Sequence, residues 1–295
     1  MRRSVRQEYE LSIITVNYNG LTDTCSLLDS ITPCGDSTEV IVVDNASRNN
    51  EAQAIAERYP TVKVVKSQAN LGFAGGNNLG IKKAKGKYIF FVNNDTVFNP
   101  KELKWLISRL EESPKTAIVC PKIRFYWGER AIQYAGYTPL SKVTLRNKGI
   151  GYTEPDNGQY EEAHTTPYAH GAAMLVKREA IEKVGLMPEC YFLYYEELDW
   201  SVMMRNNGYD IWYEPRCTVF HKESQATGAD SPLKTYYLCR NRLLFAKRNV
   251  GHPLLLVTYA YLFAVAFKDI LKHTLHRNPD LARATFKGLI DFIRL

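Results

Sequence analysis

Four short runs of apolar, mostly β-branched residues, separated by helical patterns, constrain the fold of this chain more than any other feature. The runs lie at residues 11–16, 40–43, 62–65 and 88–92, and the helical patterns at residues 22–31, 51–59 and 74–85. Strands that alternate with helices at this spacing are typical of βαβ units, whose parallel sheet is covered by helices on both faces. The pattern therefore predicts an α/β fold with a mostly parallel sheet flanked by helices.

Polar turns follow three of these four predicted strands. They occupy residues 17–20, 44–47 and 93–95, and each is rich in Asn or Asp. Asn and Asp favour turns for local reasons alone. In open parallel sheets, however, ligands bind outside the carboxyl ends of the strands. Three such turns at one edge favour a binding site there.

Two acidic residues in these turns suit a nucleotide ligand. Asp95 ends the turn Asn93-Asn94-Asp95, and a carboxylate in a short polar loop can hold Mg²⁺ or Mn²⁺, which takes its other ligands from phosphate and water. Asp44 ends the second predicted strand, where a carboxylate can accept hydrogen bonds from a base or a ribose.

A glycine-rich segment at residues 70–78 precedes the third helical pattern. Its glycines would let the backbone approach a ligand, and the amino end of the following helix would point towards that ligand. The segment does not match GxGxxG, and it follows the third strand instead of the first. This argues against a dinucleotide-dependent oxidoreductase.

Three carboxylates crowd the start of a helical pattern near residue 196. They belong to Glu196, Glu197 and Asp199. Acids in a first turn are favoured by the helix dipole, so a well-capped helix is one interpretation. Neighbouring like charges also raise a carboxyl pKa, which makes a general base available near neutral pH. The isolated His221 is either a structural histidine or a metal ligand.

The second half of the chain is less regular, and its end is basic. Residues 125–166 predict an irregular insertion over the sheet edge, and regular structure resumes at residues 171–184. From residue 239 onwards the chain has ten basic and three acidic residues, which accounts for the whole formal charge of +7. We expect a catalytic domain over residues 1–249 and a helical extension over residues 250–295.

The apolar run at residues 254–267 is shorter than the ~20 residues that span a bilayer. It is compatible with a helix that packs on the catalytic domain. It is also compatible with an interfacial anchor whose flanking cations meet anionic lipid. The second interpretation predicts peripheral contact with the inner membrane.

Features outside the predicted site favour a cytoplasmic protein. No apolar stretch follows the basic amino terminus, so we expect no secretory signal. The six cysteines show no CxxC pair and no metal-like spacing, which predicts reduced thiols. A membrane contact would place the chain at the cytoplasmic face. We expect no nucleic-acid partner.

Eight segments, in order, carry a resemblance to a known family. They are ITVNYNG, VIVVDNAS, NLGFAGGNN, FFVNNDT, HGAAMLVKREAIEKVG, YFLYYEELDWSVMMRNNGY, VFHKES and YYLCRNRL. Together they cover residues 11–247 and resemble the family 2 inverting glycosyltransferases, which have a GT-A fold with a Rossmann-like sheet. The subgroup they resemble most contains the bacterial rhamnosyltransferases of surface-polysaccharide synthesis.

The resemblance implies a role for each matching residue. Those expected to bind the nucleotide sugar are Val16, Asn17, Asn19, Asp44, Asn70, Gly72, Phe73, Asn77, Asn94 and Asp95. Asp95 and His221 would hold Mg²⁺ or Mn²⁺. Asn93 replaces the first acid of the family's DxD motif, so one carboxylate must serve. Glu197 matches the general base, with Glu196 in reserve.

The resemblance implies inverting transfer of a sugar from a nucleoside-diphosphate sugar, with dTDP-rhamnose the favoured donor. The acceptor would be a glycan or a lipid-diphosphate-linked sugar in bacterial surface-polysaccharide (cell-wall) synthesis. A UDP- or GDP-hexose transferase of the same fold stays open as an alternative. So does a protein that binds nucleotide sugars without turnover, because the DxD motif lacks its first acid. A nucleotidyltransferase is disfavoured, since no basic residue follows the first strand.

Overall fold

A computed structural model describes residues 9–32, 35–223 and 231–295. The basic amino terminus, Cys34 and the end of the VFHKES segment lie outside these residues. The five cysteines within them are free thiols, three buried, one half-buried and one exposed. This agrees with the prediction of reduced cysteines for the part of the chain described.

Strands and helices alternate through the first half of the chain, as predicted. The strands are β1 (Leu11–Asn17), β2 (Thr38–Asp44), β3 (Lys63–Lys66), β4 (Tyr88–Val92), β5 (Thr96–Phe98), β6 (Thr116–Phe125), β7 (Ile132–Tyr134), β8 (His164–Thr165), β9 (Ala173–Lys177) and β10 (Asp210–His221). The α-helices are α1 (Leu21–Ile31), α2 (Glu51–Arg58), α3 (Gly72–Ile81), α4 (Leu103–Glu111), α5 (Arg178–Val184), α6 (Glu196–Asn206), α7 (Pro232–Asn249), α8 (Leu254–Leu275) and α9 (Pro279–Ile293).

These strands form a single sheet in the order β3-β2-β1-β4-β9-β6-β10-β5, with β7 beside β6 and β8 beside β10. Six of them, β3, β2, β1, β4, β6 and β10, run in one direction. The predicted α/β fold with a mostly parallel sheet flanked by helices is therefore confirmed. The resumed strand β9 lies antiparallel between β4 and β6.

The strand directions determine which residues meet at one edge of the sheet. The carboxyl ends of β1, β2, β4 and β10 share that edge. Because β9 and β5 run the opposite way, their amino ends, at Ala173 and Thr96, lie there too. Strand ends that are far apart in the sequence, from residue 17 to residue 221, therefore meet at this edge.

Two glycines of α3 serve to pack this helix on β1. A Cβ atom on Gly76 would lie 2.9 Å from Cγ1 of Val16, and one on Gly80 would lie 2.6 Å from Cγ2 of Ile14. Real Cβ atoms do not approach this closely, so both positions need glycine for the helix to reach the strand. The sequence interpretation, that the glycines admit a ligand, does not hold at Gly76.

An irregular segment follows β6 and covers the site edge, as expected. Between residues 126 and 163, all of them described, the regular structure is limited to the three-residue strand β7. A bridge between Tyr137 and Gly149 folds this segment back on itself. The insertion supplies one wall of the site.

Helix α8 is longer than the sequence predicted. It continues past the apolar run through Lys268 to Leu275 and has 22 residues. Within the described residues, it is the one helix whose length and composition would allow it to cross a membrane, and 22% of its most apolar window is buried. The sequence analysis ended this segment before its first charged residue, Lys268. A helix can continue through charged residues, so the predicted length was too short.

Helix α7 connects the sheet domain to α8 and α9. The Asn241 side-chain amide donates hydrogen bonds to the carbonyl oxygens of Tyr191, Leu193 and Tyr194. The opposite side of α7 packs on α9, and Gly288 allows the close approach because a Cβ there would lie 2.9 Å from the carbonyl oxygen of Tyr236. The division between residues 249 and 250 remains a prediction.

We predict that Asp199→Asn lowers the free energy of unfolding by about 2–4 kcal/mol, because the buried carboxylate of Asp199 accepts three hydrogen bonds. Their donors are the Tyr191 hydroxyl at 3.0 Å, Nε of Arg248 at 2.6 Å and Nδ2 of Asn249 at 2.8 Å. An amide at this position leaves one of these donors facing another donor. Urea unfolding measures the change.

The control is Asp280→Asn, which alters an exposed ion pair with Arg283. Exposed pairs contribute little, so no measurable change is expected. Equal effects of the two substitutions would contradict the role given to Asp199.

Candidate active site

A cavity of about 470 Å³ opens at the site edge of the sheet. Its walls come from α3, the ends of β4 and β10, the irregular segment and the start of α6. The residues that line it are Phe73, Asn93, Gln133, Tyr137, Gly149, Tyr152, His170, Gly171, Ala172, Leu193, Tyr194, Glu196, Glu197, His221 and Glu223. Four predicted site residues, Phe73, Glu196, Glu197 and His221, therefore meet in one cavity.

The chain enters α6 through a strained turn that presents two carboxylates. Tyr194 and Tyr195 have φ angles of 68° and 80°, a region that side chains with a Cβ rarely occupy. The contact of Asn241 with the Tyr194 carbonyl holds this turn. The first two helical residues, Glu196 and Glu197, then face the cavity.

Burial raises the pKa values of Glu196 and Glu197 by different amounts. Glu196 is 2% exposed, and burial together with the charge of Glu197 raises its pKa well above the usual range. Its Oε2 has no hydrogen-bond partner among the described residues. Burial raises the pKa of Glu197 to about 7. Glu196 is thus the protonated member near neutral pH, and Glu197 is the one able to ionise.

His221 lines the cavity and contacts Asp95, which lies behind the cavity lining. The register of β5 and β10 pairs Thr96 with His221, and Nε2 of His221 lies 3.1 Å from Oδ1 of Asp95. Nδ1 of His221 lies 2.8 Å from Oε1 of Gln133. Because that oxygen can only accept, Nδ1 carries a hydrogen, and Nε2 is the ring atom that faces the carboxylate.

The side chains of this pair, an imidazole and a carboxylate, are of kinds that bind divalent cations. Metal–ligand bonds of roughly 2.1 Å set at right angles separate two ligand atoms by ~3 Å, close to the observed spacing. Within the described residues no group of three or more His, Cys, Asp and Glu side chains could hold a metal. A cation bound here would need oxygen ligands from another molecule, such as phosphate oxygens and water.

A hydrogen-bonded cluster joins the ends of β1 and β2. Nδ2 of Asn17 lies within hydrogen-bond distance of Asp44, Ser47 and Glu51, at 3.0, 3.0 and 2.8 Å. Asp44 is 1% exposed, and its Oδ2 has no partner among the described residues. An unpaired buried acceptor is suited to a hydroxyl or amide donor of a ligand.

The glycine-rich loop is fixed by the chain around Phe192. Gly72 has φ +72°, and a Cβ there would lie 2.1 Å from the carbonyl oxygen of Phe192. That oxygen accepts a hydrogen bond from the backbone N–H of Phe73, while Oδ1 of Asn70 accepts from that of Gly72. The amides of Gly72 and Phe73 are therefore occupied within the protein. That the amino end of α3 points towards a ligand stays a prediction.

The other predicted binding residues are not among those that line the cavity. Asn94 donates to the Thr24 hydroxyl, Asn19 accepts from the backbone N–H of Arg48, and Asn77 donates to the carbonyl of Phe73. Val16 packs under α3, as described above. These residues form the framework at the ends of β1, β2 and β4.

Several lining residues were not selected from the sequence. Gln133 belongs to no recognisable motif, and Tyr152 lies in the irregular segment. Tyr137 stacks on His170, with the ring centroids 6.0 Å apart. Burial and the neighbouring His221 lower the pKa of His170 to about 3, so His170 is a neutral imidazole. Only the tertiary fold brings these groups together.

Three of the known proteins that this chain resembles in sequence are named as sugar transferases. The chain is 26% identical over 240 residues to the low-salt glycan biosynthesis hexosyltransferase Agl10 of Haloferax volcanii, covering 80% of this chain and 75% of that protein. It is 25% identical to an N-acetylglucosaminyl-diphospho-decaprenol L-rhamnosyltransferase of Mycobacterium tuberculosis. The match covers 65% of this chain and 68% of that protein. It is also 25% identical to the dTDP-rhamnosyl transferase RfbF of Shigella flexneri, with 86% of each covered.

The fold is shared with solved glycosyltransferase structures of the GT-A type. The mannosyltransferase PcManGT of Pyrobaculum calidifontis, solved with GDP-Man and Mn²⁺, superposes with a TM-score of 0.57 at 16% identity, covering 96% of this chain and 87% of that one. The profile described as Glycosyl transferase family 2 matches residues 12–185, more than half of the chain. The chain belongs to glycosyl transferase family 2.

Proposed function

We propose that this protein is an inverting, metal-dependent glycosyltransferase that uses a nucleoside-diphosphate sugar. One observation carries the proposal: Glu197 and His221 line the same cavity, and Nε2 of His221 lies 3.1 Å from Oδ1 of Asp95. Direct displacement at an anomeric carbon needs a leaving group stabilised on one face and an acceptor deprotonated on the opposite face.

Asp95 and His221 are proposed to hold Mg²⁺ or Mn²⁺. When bound, the cation supplies charge neutralisation for the departing diphosphate. Gln133 fixes the tautomer of His221 so that Nε2 stays available. Asn93 lines the cavity where the family's DxD motif has its first acid, and an amide there can donate hydrogen bonds but adds no negative charge.

Glu197 is proposed as the general base. Its carboxylate takes the proton of the acceptor hydroxyl while the acceptor oxygen forms a bond to the anomeric carbon. The bond from that carbon to the diphosphate oxygen breaks on the opposite face, so the configuration inverts. Burial, which raises the pKa of Glu197 to about 7, makes this carboxylate a stronger base than an exposed one.

The framework at the ends of β1 and β2 is proposed to bind the nucleoside. Asp44, whose Oδ2 is buried and unpaired among the described residues, would accept from the base or ribose. Val16, Asn17 and Asn19 shape this end. Asn70, Gly72, Asn77 and Asn94 hold the loops around it, and Phe73 lines the sugar pocket.

We predict that Glu197→Gln lowers kcat about 100- to 10,000-fold, the usual contribution of a general base. Donor binding should be nearly unchanged, because the amide keeps the shape of the side chain. Glu196→Gln should lose far less, since Glu196 already holds a proton. For each variant, steady-state transfer assays measure kcat, and nucleotide titration measures donor binding. A larger loss at Glu196 would move the role of base to that residue.

The raised pKa of Glu197 also predicts the pH dependence. A base must be ionised, so kcat/KM is expected to rise with pH up to about 7 and to flatten above it. A pH–rate profile of the wild-type enzyme tests this. A rate that stays constant from pH 5.5 to pH 8 would exclude a carboxylate with the pKa of Glu197 as the base.

The donor is proposed to be dTDP-rhamnose, which the printed names of the two rhamnosyltransferase relatives support. UDP- and GDP-hexoses are the alternatives.

We predict that one of dTDP, UDP and GDP, with Mn²⁺, raises the melting temperature of the protein. A ligand at 100 times its Kd stabilises by about 2.7 kcal/mol. EDTA and Asp95→Asn should both abolish the rise.

The matched control for this panel is Asp210→Asn, an exposed aspartate at the far end of β10 from His221. It should behave as wild type. A nucleotide shift that survives in EDTA would contradict the metal site. A shift without donor turnover would favour the alternative of a binding protein.

The acceptor is proposed to be a glycan or a lipid-diphosphate-linked sugar of a bacterial surface (cell-wall) polysaccharide. The protein is proposed to be cytoplasmic and to act at the inner membrane.

Helix α8 supports peripheral contact of the protein with that membrane. Four of its side chains, those of Leu255, Thr258, Leu262 and Ala266, are buried against the protein, so lipid cannot surround the helix. Leu256 and Phe267 are 65% and 63% exposed, and such side chains can enter a headgroup layer.

A further inference from the structure

His170 lines the candidate active site, and the proposed function gives it no role. It lies in the turn before β9, and its half-buried side chain lines the cavity together with Glu197 and His221. The imidazole packs on two tyrosine rings, with its ring centroid 5.1 Å from that of Tyr134 and 6.0 Å from that of Tyr137. These ring contacts hold the imidazole in one orientation.

A hydrogen bond within this turn determines the tautomer of His170. The backbone N–H of Ala172 donates to Nδ1 of the His170 ring at 3.1 Å. A ring nitrogen that accepts a hydrogen bond must keep its lone pair, so the hydrogen of the neutral ring is on Nε2. Burial and the charge of His221 favour the neutral ring, because they lower its pKa to about 3. Nε2–H is therefore a hydrogen-bond donor near neutral pH.

Among the residues that the structure describes, Nε2 of His170 has no hydrogen-bond partner. His221 has the other arrangement, since its Nδ1 carries a hydrogen towards Gln133 and its Nε2 faces a carboxylate. Donors away from water are usually paired, and leaving one unpaired costs free energy. An N–H in the wall of a cavity is therefore suited to an oxygen atom of a ligand.

The backbone of residues 169–172 is hydrogen-bonded to two other parts of the site. The carbonyl oxygen of Ala172 accepts from the backbone N–H of Asn93 at 2.9 Å. The first backbone N–H of the segment donates to the Ser201 hydroxyl, which in turn donates to the carbonyl oxygen of Glu197. These bonds fix the segment relative to the turn after β4 and to the first turn of α6. The imidazole donor is thus held in place before a ligand binds.

The neighbours of His170 indicate which substrate it would meet. Under the proposed function, the anomeric carbon lies between the diphosphate bound at Asp95 and His221 and the acceptor oxygen deprotonated by Glu197. The charge of His221 acts on His170. The next residue, Gly171, lies against Glu197, since a Cβ atom there would be 3.7 Å from Cγ of that residue. The sugar ring that carries the anomeric carbon is therefore the group expected beside His170.

We propose that His170 binds the donor sugar, with its Nε2–H donating a hydrogen bond to a hydroxyl oxygen of the sugar ring. This inference rests on the proposed function and adds to it a residue that recognises the transferred sugar. The contact lies on the sugar and not on the nucleotide, so it favours a nucleotide sugar over the free nucleoside diphosphate. A sugar without an oxygen at this place would leave the donor unpaired, which makes His170 a specificity-determining residue.

Isothermal titration of the full-length protein with dTDP-rhamnose and with dTDP, each with Mn²⁺ and without acceptor, tests the proposal. His170→Phe keeps an aromatic ring but has no donor. It should weaken dTDP-rhamnose binding about three- to tenfold, the net contribution of one neutral hydrogen bond. Binding of dTDP should be unchanged. His170→Gln, whose amide can donate, should recover most of the loss.

The matched control is His276→Phe, which replaces an exposed histidine outside the cavity and should bind both ligands as wild type. Equal binding of dTDP-rhamnose by wild type and His170→Phe would overturn the proposal. An equal loss of dTDP and dTDP-rhamnose binding would also overturn it, because a merely structural role has that effect. A change in the acceptor KM alone would overturn the assignment to the donor sugar.

Nitrogen NMR of the wild type, labelled with ¹⁵N-histidine, tests the same contact without relying on the fold of a variant. His170→Gln identifies the signal by removing it. We expect the hydrogen on Nε2, and we expect this N–H signal to move with dTDP-rhamnose much more than with dTDP. A hydrogen on Nδ1, or equal movement with the two ligands, would contradict the proposal.

The two proposals fail in different ways. If wild type binds both ligands and the variants do not separate them, His170 does not contact the sugar and the proposed function stands. If the melting panel selects UDP or GDP, the probes become UDP-glucose with UDP, or GDP-mannose with GDP. If no nucleotide binds wild type with Mn²⁺, the proposed function fails, and the role of His170 fails with it.

Discussion

The antiparallel pairing of β5 with β10 is the contact on which the site depends. It places Thr96 opposite His221 and so brings the carboxylate of Asp95 within 3.1 Å of a histidine from a distant part of the sequence. The direction of β9 acts in the same way, because it carries residues 170–172 to the edge where the parallel strands end. A parallel β9 would instead carry residues 170–172 to the opposite edge.

Burial determines the chemistry of Glu196 and Glu197. Two adjacent carboxyl groups with little access to water cannot both be ionised at low cost, so one keeps its proton and the other ionises near neutral pH. Tyr194 and Tyr195 hold a strained backbone to present these groups. Helix α7 stabilises that turn through Asn241, and through Arg248 and Asn249 on Asp199. The carboxyl-terminal helices therefore support the candidate site.

The sequence predicted the local structure well, because apolar periodicity and polar turns are local signals. Strands β1–β4, the helices between them and the irregular insertion all occur as expected. It could not predict contacts made by tertiary packing. Gln133 lies in no motif, the role of Gly76 depends on how closely α3 reaches β1, and the Phe73 amide of α3 is bonded to the carbonyl oxygen of Phe192. The length of α8 was underestimated because charge, which does not end a helix, was used as its limit.

The most direct test of the account is the anomeric configuration of the first product. Wild-type protein, Mn²⁺ and the nucleotide sugar chosen by the melting panel are incubated with a small alcohol, whose glycoside cannot mutarotate. Proton NMR then compares the anomeric centre of the product with that of the donor. Displacement assisted by Glu197 predicts the opposite configuration. A product with the donor's own configuration would contradict a single displacement and the role of Glu197 as its base.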